Sequence, residues 1–252
     1  MPQLIITDTP AKEAGEQINN IIQTHTGDIV CLLSGGSALE IVQHIRPGLT
    51  CFHQDCVGDT CAKSECRTIF MMGDERGSRE PDINNYLQLK NRYSKQSILE
   101  HVLETVPEEK ESIKNFALRI EEIFFQTLTE LQNPKIVYVV GIGADGHTAG
   151  IFPGEIEWFR KTYQGDLSYV PVPAQGLRSD SRASFTPTWI LENVDELIGY
   201  AVGPDKQEIL QKLNTEDKKL NERPAELLKQ HAHSTLYTDQ DITPQEDVDQ
   251  AE

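Results

Sequence analysis

Four short apolar runs do most to constrain the fold of this chain: IVCLL at 29–33, TIFMM at 68–72, IVYVV at 136–140 and ELIGYAV at 196–202. Each is rich in β-branched or aromatic residues and bounded by glycine or charge, the pattern of strands buried on both faces of a parallel sheet. Stretches with a period near 3.6 separate them. In TPAKEAGEQINNIIQ, Thr9 offers an N-cap and Pro10 sits at the first helical position, where its missing N–H costs nothing. Between Ser97 and Leu131, residues Ile98, Val102, Ile113, Phe116, Ile120 and Phe124 fall at broadly helical spacing, with Pro107 dividing the stretch in two. Further helices are expected from about Asp205 to Leu213 and from Pro224 in PAELLKQ. Strands alternating with helices predict an α/β fold with a mostly parallel central sheet flanked by helices.

The 252 residues show no repeat at solenoid period and no long linker, which predicts one domain over residues 1–238. Residues 239–252 carry six acidic side chains and no basic ones, and are expected to be a disordered tail. The 23 Lys and Arg against 40 Asp and Glu leave a net charge of −17, which repels nucleic-acid phosphates and anionic lipid and argues against both as partners. No apolar run approaches the roughly 20 residues of a membrane helix, and MPQLIITDTP lacks the basic and apolar regions of a leader, so a cytoplasmic location is expected. Five cysteines cannot all pair within the chain, and reduced thiols are the expectation.

Four segments carry chemistry. In IVCLLSGGSALEIVQHI a strand ends in Ser34-Gly35-Gly36-Ser37 and a helix is expected to open at once; paired glycines and free helix-start N–H groups make an anion cradle. The same residues also suit a plain strand-to-helix turn. TIFMMGDERGSREPDINNY runs a strand into Asp74, Glu75 and Arg76, at the strand's carboxyl end, where open α/β sheets bind ligands; taken alone, these charges read as a solvated loop. In IVYVVGIGADGHTAGIFPG, Gly141, Gly143 and Gly146 make a flexible loop that presents Asp145 and His147, and imidazole is the group suited to moving protons near neutral pH. From Arg178 through Ser181-Arg182 to GYAVGPDKQEIL, Arg182 and Lys206 lie at expected strand tips as cations for an anionic ligand. Together these are the parts of an enzyme acting on a phosphorylated substrate.

SGGS, GDER with the later NNY, GIGADGHTAGIFPG, SRASFTPTWI and VGPDK, in this order, resemble the 6-phosphogluconolactonases and their wider relatives, the glucosamine-6-phosphate isomerase/deaminases. The resemblance covers about residues 8 to 240 and is most specific at DGHTAGIFPG. It implies a modified Rossmann-type fold and hydrolysis of 6-phosphoglucono-δ-lactone, without metal or organic cofactor, in the oxidative pentose phosphate pathway. It implies His147 as general base and Asp145 as its orienting partner. By the same resemblance Ser34, Gly35, Gly36, Ser37, Arg182 and Lys206 hold the phosphate, while Asp74 and Arg76 line the sugar site.

The chain departs from that family at several places. Ala38-Leu39 stand where Thr-Pro is usual, Asn84 where Ser is usual, and Gly150-Ile151 where Ser-Leu is usual. The deaminases carry a glutamate five residues after the loop histidine, and Phe152 at that position favours a lactonase. A deaminase, or a sugar-phosphate-binding protein without turnover, remain the alternatives. Monomer and homodimer are both open.

Cys51, Cys56, Cys61 and Cys66 recur at a spacing of five in a segment that the resemblance does not explain. A helix would spread them and a strand would alternate them, and zinc sites use shorter paired spacings, so a variable loop with free thiols is expected. His53 and Asp55 keep a metal site as the alternative.

Overall fold

The computed structural model describes residues 1–46, 67–174 and 180–242. The four cysteines of the five-residue repeat, His53, Asp55 and Arg178 lie outside them. In chain order the strands are β1 (Gln3–Ile6), β2 (Ile29–Leu33), β3 (Thr68–Met72), β4 (Asp74–Arg76), β5 (Lys135–Gly141), β6 (Tyr169–Val172), β7 (Arg182–Phe185), β8 (Glu196–Ala201) and β9 (Ser234–Thr238). The helices are α1 (Pro10–Thr24), α2 (Asn85–Arg92), α3 (Ile113–Thr129), α4 (Ile156–Tyr163), α5 (Pro187–Asn193), α6 (Gln207–Thr215) and α7 (Leu227–Gln230).

Six strands form one parallel sheet in the order β1-β9-β8-β5-β2-β3, the mostly parallel sheet that the apolar runs predict. Its central strands alternate between two cores. Val30, Leu32, Ile136, Tyr138 and Val140 point into the side covered by α3 to α7. Ile29, Cys31, Leu33, Val137 and Val139 point into the side covered by α1, α2 and the segment after β2. Burial on both faces is what makes these strands continuous apolar runs. A second sheet, β4-β7-β6, is antiparallel and was not foreseen.

Several local expectations are corrected. Thr9 stands at the N-cap of α1 but makes no capping bond; its hydroxyl donates to Glu13 at 3.4 Å. After β2 the chain forms a 3₁₀ helix, Gly36–His44, in place of an α-helix. Ser97–His101 is likewise 3₁₀, and the long helix starts only at Ile113, where Ser112 caps it by accepting the Asn115 N–H at 3.1 Å. The packed chain also continues past 238: Asp239 accepts the Gly203 N–H at 2.9 Å, and Ile242 is buried in the core.

Candidate active site

The carboxyl ends of β2, β3, β5 and β8 open on one side of the large sheet, and between the neighbours β2 and β5 the chain turns in opposite directions, from β2 to β3 and from β5 toward β8, the usual ligand crevice of such sheets. There an open cleft of about 200 Å³ is lined by Ser34, Gly35, Gly36, Ser37, Asp74, Arg76, His147, Arg182 and Lys206. Of the expected site residues only Asp145 is not part of the wall. Asn85, Ile142 and Ala149, which sequence reasoning did not single out, complete it with Gly141 and Gly143. The signal for Asn85 was the NNY that follows GDER.

The loop after β5 is held by its own hydrogen bonds, contrary to the flexible loop expected from its glycines. Gly143 N–H donates to the His147 carbonyl at 2.8 Å, Gly146 N–H to the Gly143 carbonyl at 2.9 Å, and Thr148 Oγ1 to the Gly141 carbonyl at 2.8 Å. Asp145 Oδ1 accepts the His147 backbone N–H at 3.1 Å and lies 2.5 Å from His147 Nδ1. Partial burial raises the Asp145 carboxyl, but the hydrogen bond and charge of His147 outweigh it and hold the group at about 2. A carboxylate on Nδ1 assigns the ring proton to that nitrogen and leaves Nε2 as a base. The ring of Phe152, 2% exposed, lies 4.8 Å from the imidazole, and the Arg182 guanidinium stands 5.1 Å from the same phenyl ring.

Positive charge gathers in the same cleft. Arg76 on β4 and Arg182 on β7 occupy directly paired positions of the antiparallel sheet. Like charges directly opposite one another are unfavourable in isolation, and this pair brings two cations to the cleft in a chain of net charge −17. Lys206 is held 2.9 Å from the exposed carboxylate of Asp205. Ser34 Oγ donates to Asp74 Oδ1 at 2.9 Å, so its proton is committed to a protein carboxylate. Ser37, exposed, and the backbone of the glycine turn are the remaining donors there. Gly35 is needed for close approach: a Cβ at 35 would stand 2.1 Å from Asn85 Oδ1.

The two acidic residues of GDER are buried, Asp74 at the wall and Glu75 behind it, while Arg76 is half-buried. Asp74 and Glu75 are 3% and 0% exposed, which overturns the solvated-loop reading of that segment. Glu75 accepts the backbone N–H groups of Arg76, Asn85 and Tyr86 at 2.6, 2.6 and 2.9 Å and the Thr105 hydroxyl at 3.0 Å. Burial pushes its carboxyl up to about 8, against the pull of those backbone donors. The Glu75 carboxyl ties β4 to the first turn of α2 through the Asn85 and Tyr86 N–H groups, and the N-cap of that helix, Asn84, accepts the Leu87 N–H at 2.9 Å. Among the described residues, no group of three or more His, Cys, Asp or Glu is placed to hold a metal ion, and no helix is long and apolar enough to cross a membrane.

The overall architecture matches solved structures of 6-phosphogluconolactonases over most of their length. That from Trypanosoma brucei is 21% identical with a TM-score of 0.68, covering 96% of this chain and 97% of its own. Those from Plasmodium vivax and Thermotoga maritima are both 16% identical, with TM-scores of 0.67 and 0.66. They cover 93% and 94% of this chain and 88% and 98% of their own. At such identities the likeness carries the fold. No curated protein sequence matches the chain. The profile of the family described as glucosamine-6-phosphate isomerases/6-phosphogluconolactonase matches residues 6–237, from β1 through β9 and across every segment of the cleft, so the chain belongs to that family.

Proposed function

We propose that the protein hydrolyses 6-phosphoglucono-δ-lactone to 6-phosphogluconate, the lactone-opening step of the oxidative pentose phosphate pathway, with His147 as general base. The observation that carries this reading is the sharing of one cleft by an Asp145-oriented imidazole and the cations Arg76, Arg182 and Lys206. Family membership and the fold of neighbours named 6-phosphogluconolactonase support it.

The chemistry follows from that juxtaposition. Lys206, Arg182, Ser37 and the glycine turn hold the phosphate dianion, and Asp74 and Arg76 face the sugar. Anchoring the phosphate sets the C1 carbonyl beside Nε2 of His147, and such positioning supplies much of the rate. Nε2 takes a proton from water as its oxygen bonds to C1. The tetrahedral intermediate then collapses, the bond from C1 to the ring oxygen breaks, and the imidazolium returns its proton to that oxygen. The product is an open-chain carboxylic acid that ionises in water. Asp145 stabilises the transient imidazolium. Phe152 places no carboxylate beside the imidazole, so the site has no second acid there for ring opening of an amino sugar.

The test pairs two substrates. The lactone, generated in situ, is expected to disappear faster than its spontaneous hydrolysis, and glucosamine 6-phosphate is expected to release no ammonia. Ammonia release with background lactone loss would replace this reading by a deaminase. Saturable 6-phosphogluconate binding with neither activity would replace it by a binding protein.

A further inference from the structure

The chain between Asn221 and Ala225 does not line the cleft, yet it grips both ends of the loop that carries His147. At the near end the Ala225 N–H donates to the Gly146 carbonyl at 2.9 Å. The stem of Arg223 lies beneath the same residue, where a Cβ on Gly146 would stand 2.9 Å from Arg223 Cγ. At the far end the Gly154 N–H donates to the Asn221 carbonyl at 2.8 Å, and Asn221 Nδ2 donates to the Gly154 carbonyl at 3.1 Å. Gly146 has φ +81°, open to glycine and strained for other residues. The residue directly before His147 is therefore a tight left-handed turn seated on Arg223.

The way Arg223 is held is not explained by stability. The residue is 4% exposed, and its Nε donates to Glu226 Oε1 at 2.6 Å while a terminal nitrogen donates to the Glu216 carbonyl at 2.5 Å. Glu226, 2% exposed, is also bridged by Lys229 at 3.2 Å. Replacing buried ion pairs by apolar residues of similar volume is often neutral or stabilising, so such a pair is poor at adding stability. What fixed charge partners can do is hold one register of a turn against its neighbour. Here the turn is Pro224–Glu226 and the neighbour is the loop of His147.

We propose that Arg223 is a positioning residue for His147: its stem and ion pair lock the turn that seats Gly146 and so fix where the imidazole points. This rests on the reading of His147 as base. Two variants probe it from opposite sides. Arg223→Met/Glu226→Gln removes both charges at similar volume, and Gly146→Ala disturbs the seat while leaving the ion pair intact. Each is compared with the unaltered protein by lactone kinetics and by amide hydrogen exchange.

The expected result in both is a kcat lower by about 30-fold with KM within about twofold, since a shift of about 1 Å in a reacting group can cost on the order of 100-fold. Exchange over residues 142–154 is expected to rise about tenfold while that of β2 and β5 stays unchanged. Unchanged kcat or unchanged loop exchange in the folded variants would overturn the proposal, and so would an equal rise through β2 and β5. If the double variant does not fold, Gly146→Ala carries the same two readouts. A wild-type protein without lactone turnover would remove the functional reading, and the exchange measurement would still decide the clamp.

Discussion

One oxygen of Asp145 serves two groups of His147: Oδ1 lies 2.5 Å from the imidazole Nδ1 and accepts the backbone N–H of the same residue at 3.1 Å. Ring orientation and loop shape thus depend on a single carboxylate. Asp145→Ala is expected to lower kcat by roughly 100-fold, within the range for losing acid–base assistance. KM should change little, because Asp145 is outside the wall of the cleft. Steady-state kinetics with in situ lactone checks this, and equal kcat values would separate Asp145 from the chemistry.

The cations predict selectivity for phosphate. A hydrogen bond to a charged group is worth about 1.5–3 kcal/mol, or roughly 10- to 100-fold in affinity. Lys206→Ala is expected to raise KM for the phosphorylated lactone by about that factor. Turnover of unphosphorylated gluconolactone should be unaltered. An equal loss on both substrates would place Lys206 elsewhere in the mechanism.

Gly35 and Asn85 share a space that has no room for a methyl group, since a Cβ at 35 would stand 2.1 Å from Asn85 Oδ1. Overpacking of this kind costs about 1–3 kcal/mol. Gly35→Ala is expected to lower the denaturation midpoint accordingly and to raise KM, because the glycine turn and the first turn of α2 must part. Unchanged stability would mean that Asn85 moves freely.

Glu75 gives a pH dependence of stability. Burial raises its carboxyl from 4.5 in an unfolded chain to about 8 in the fold, so between those values the folded protein holds a proton that the unfolded chain has released. Its contribution is therefore complete below about pH 4.5 and is lost as pH rises toward 8, at up to about 1.4 kcal/mol per pH unit. Glu75→Gln is expected to flatten that slope. It should also destabilise the protein by about 1–3 kcal/mol at low pH, because the amide NH2 replaces a carboxyl oxygen that accepts a backbone N–H and cannot accept it. Urea midpoints from pH 5 to 8 measure both effects, and parallel slopes for variant and wild type would contradict the assignment.

The apolar runs revealed β2, β3, β5 and β8 because burial on both faces is a local property of those residues. β1 at one edge of the sheet and β9 beside it carry mixed polarity, QLII and STLYT, and left no comparable mark. β4 is three charged residues whose strand state comes from pairing with β7, far away in sequence. The burial of Glu75 was hidden because its donors come from four separate positions, residues 76, 85, 86 and 105, brought together only in the fold. The site was legible through its turns: every wall segment expected from SGGS, GDER, DGH, Arg182 and Lys206 meets in one cleft. What sequence could not supply was direction. Ser34 is turned to Asp74, Lys206 to Asp205, and Arg223 reaches the loop of His147 from a segment with no motif of its own.

The central claim is lactone hydrolysis with His147 as its base, and the most direct measurement is the rate of lactone loss for wild type and His147→Ala against the spontaneous rate. The account predicts acceleration by the wild type and a loss of at least about 100-fold in the variant. A folded His147→Ala protein that retains wild-type turnover, or a wild type that leaves the lactone at its spontaneous rate, would contradict it.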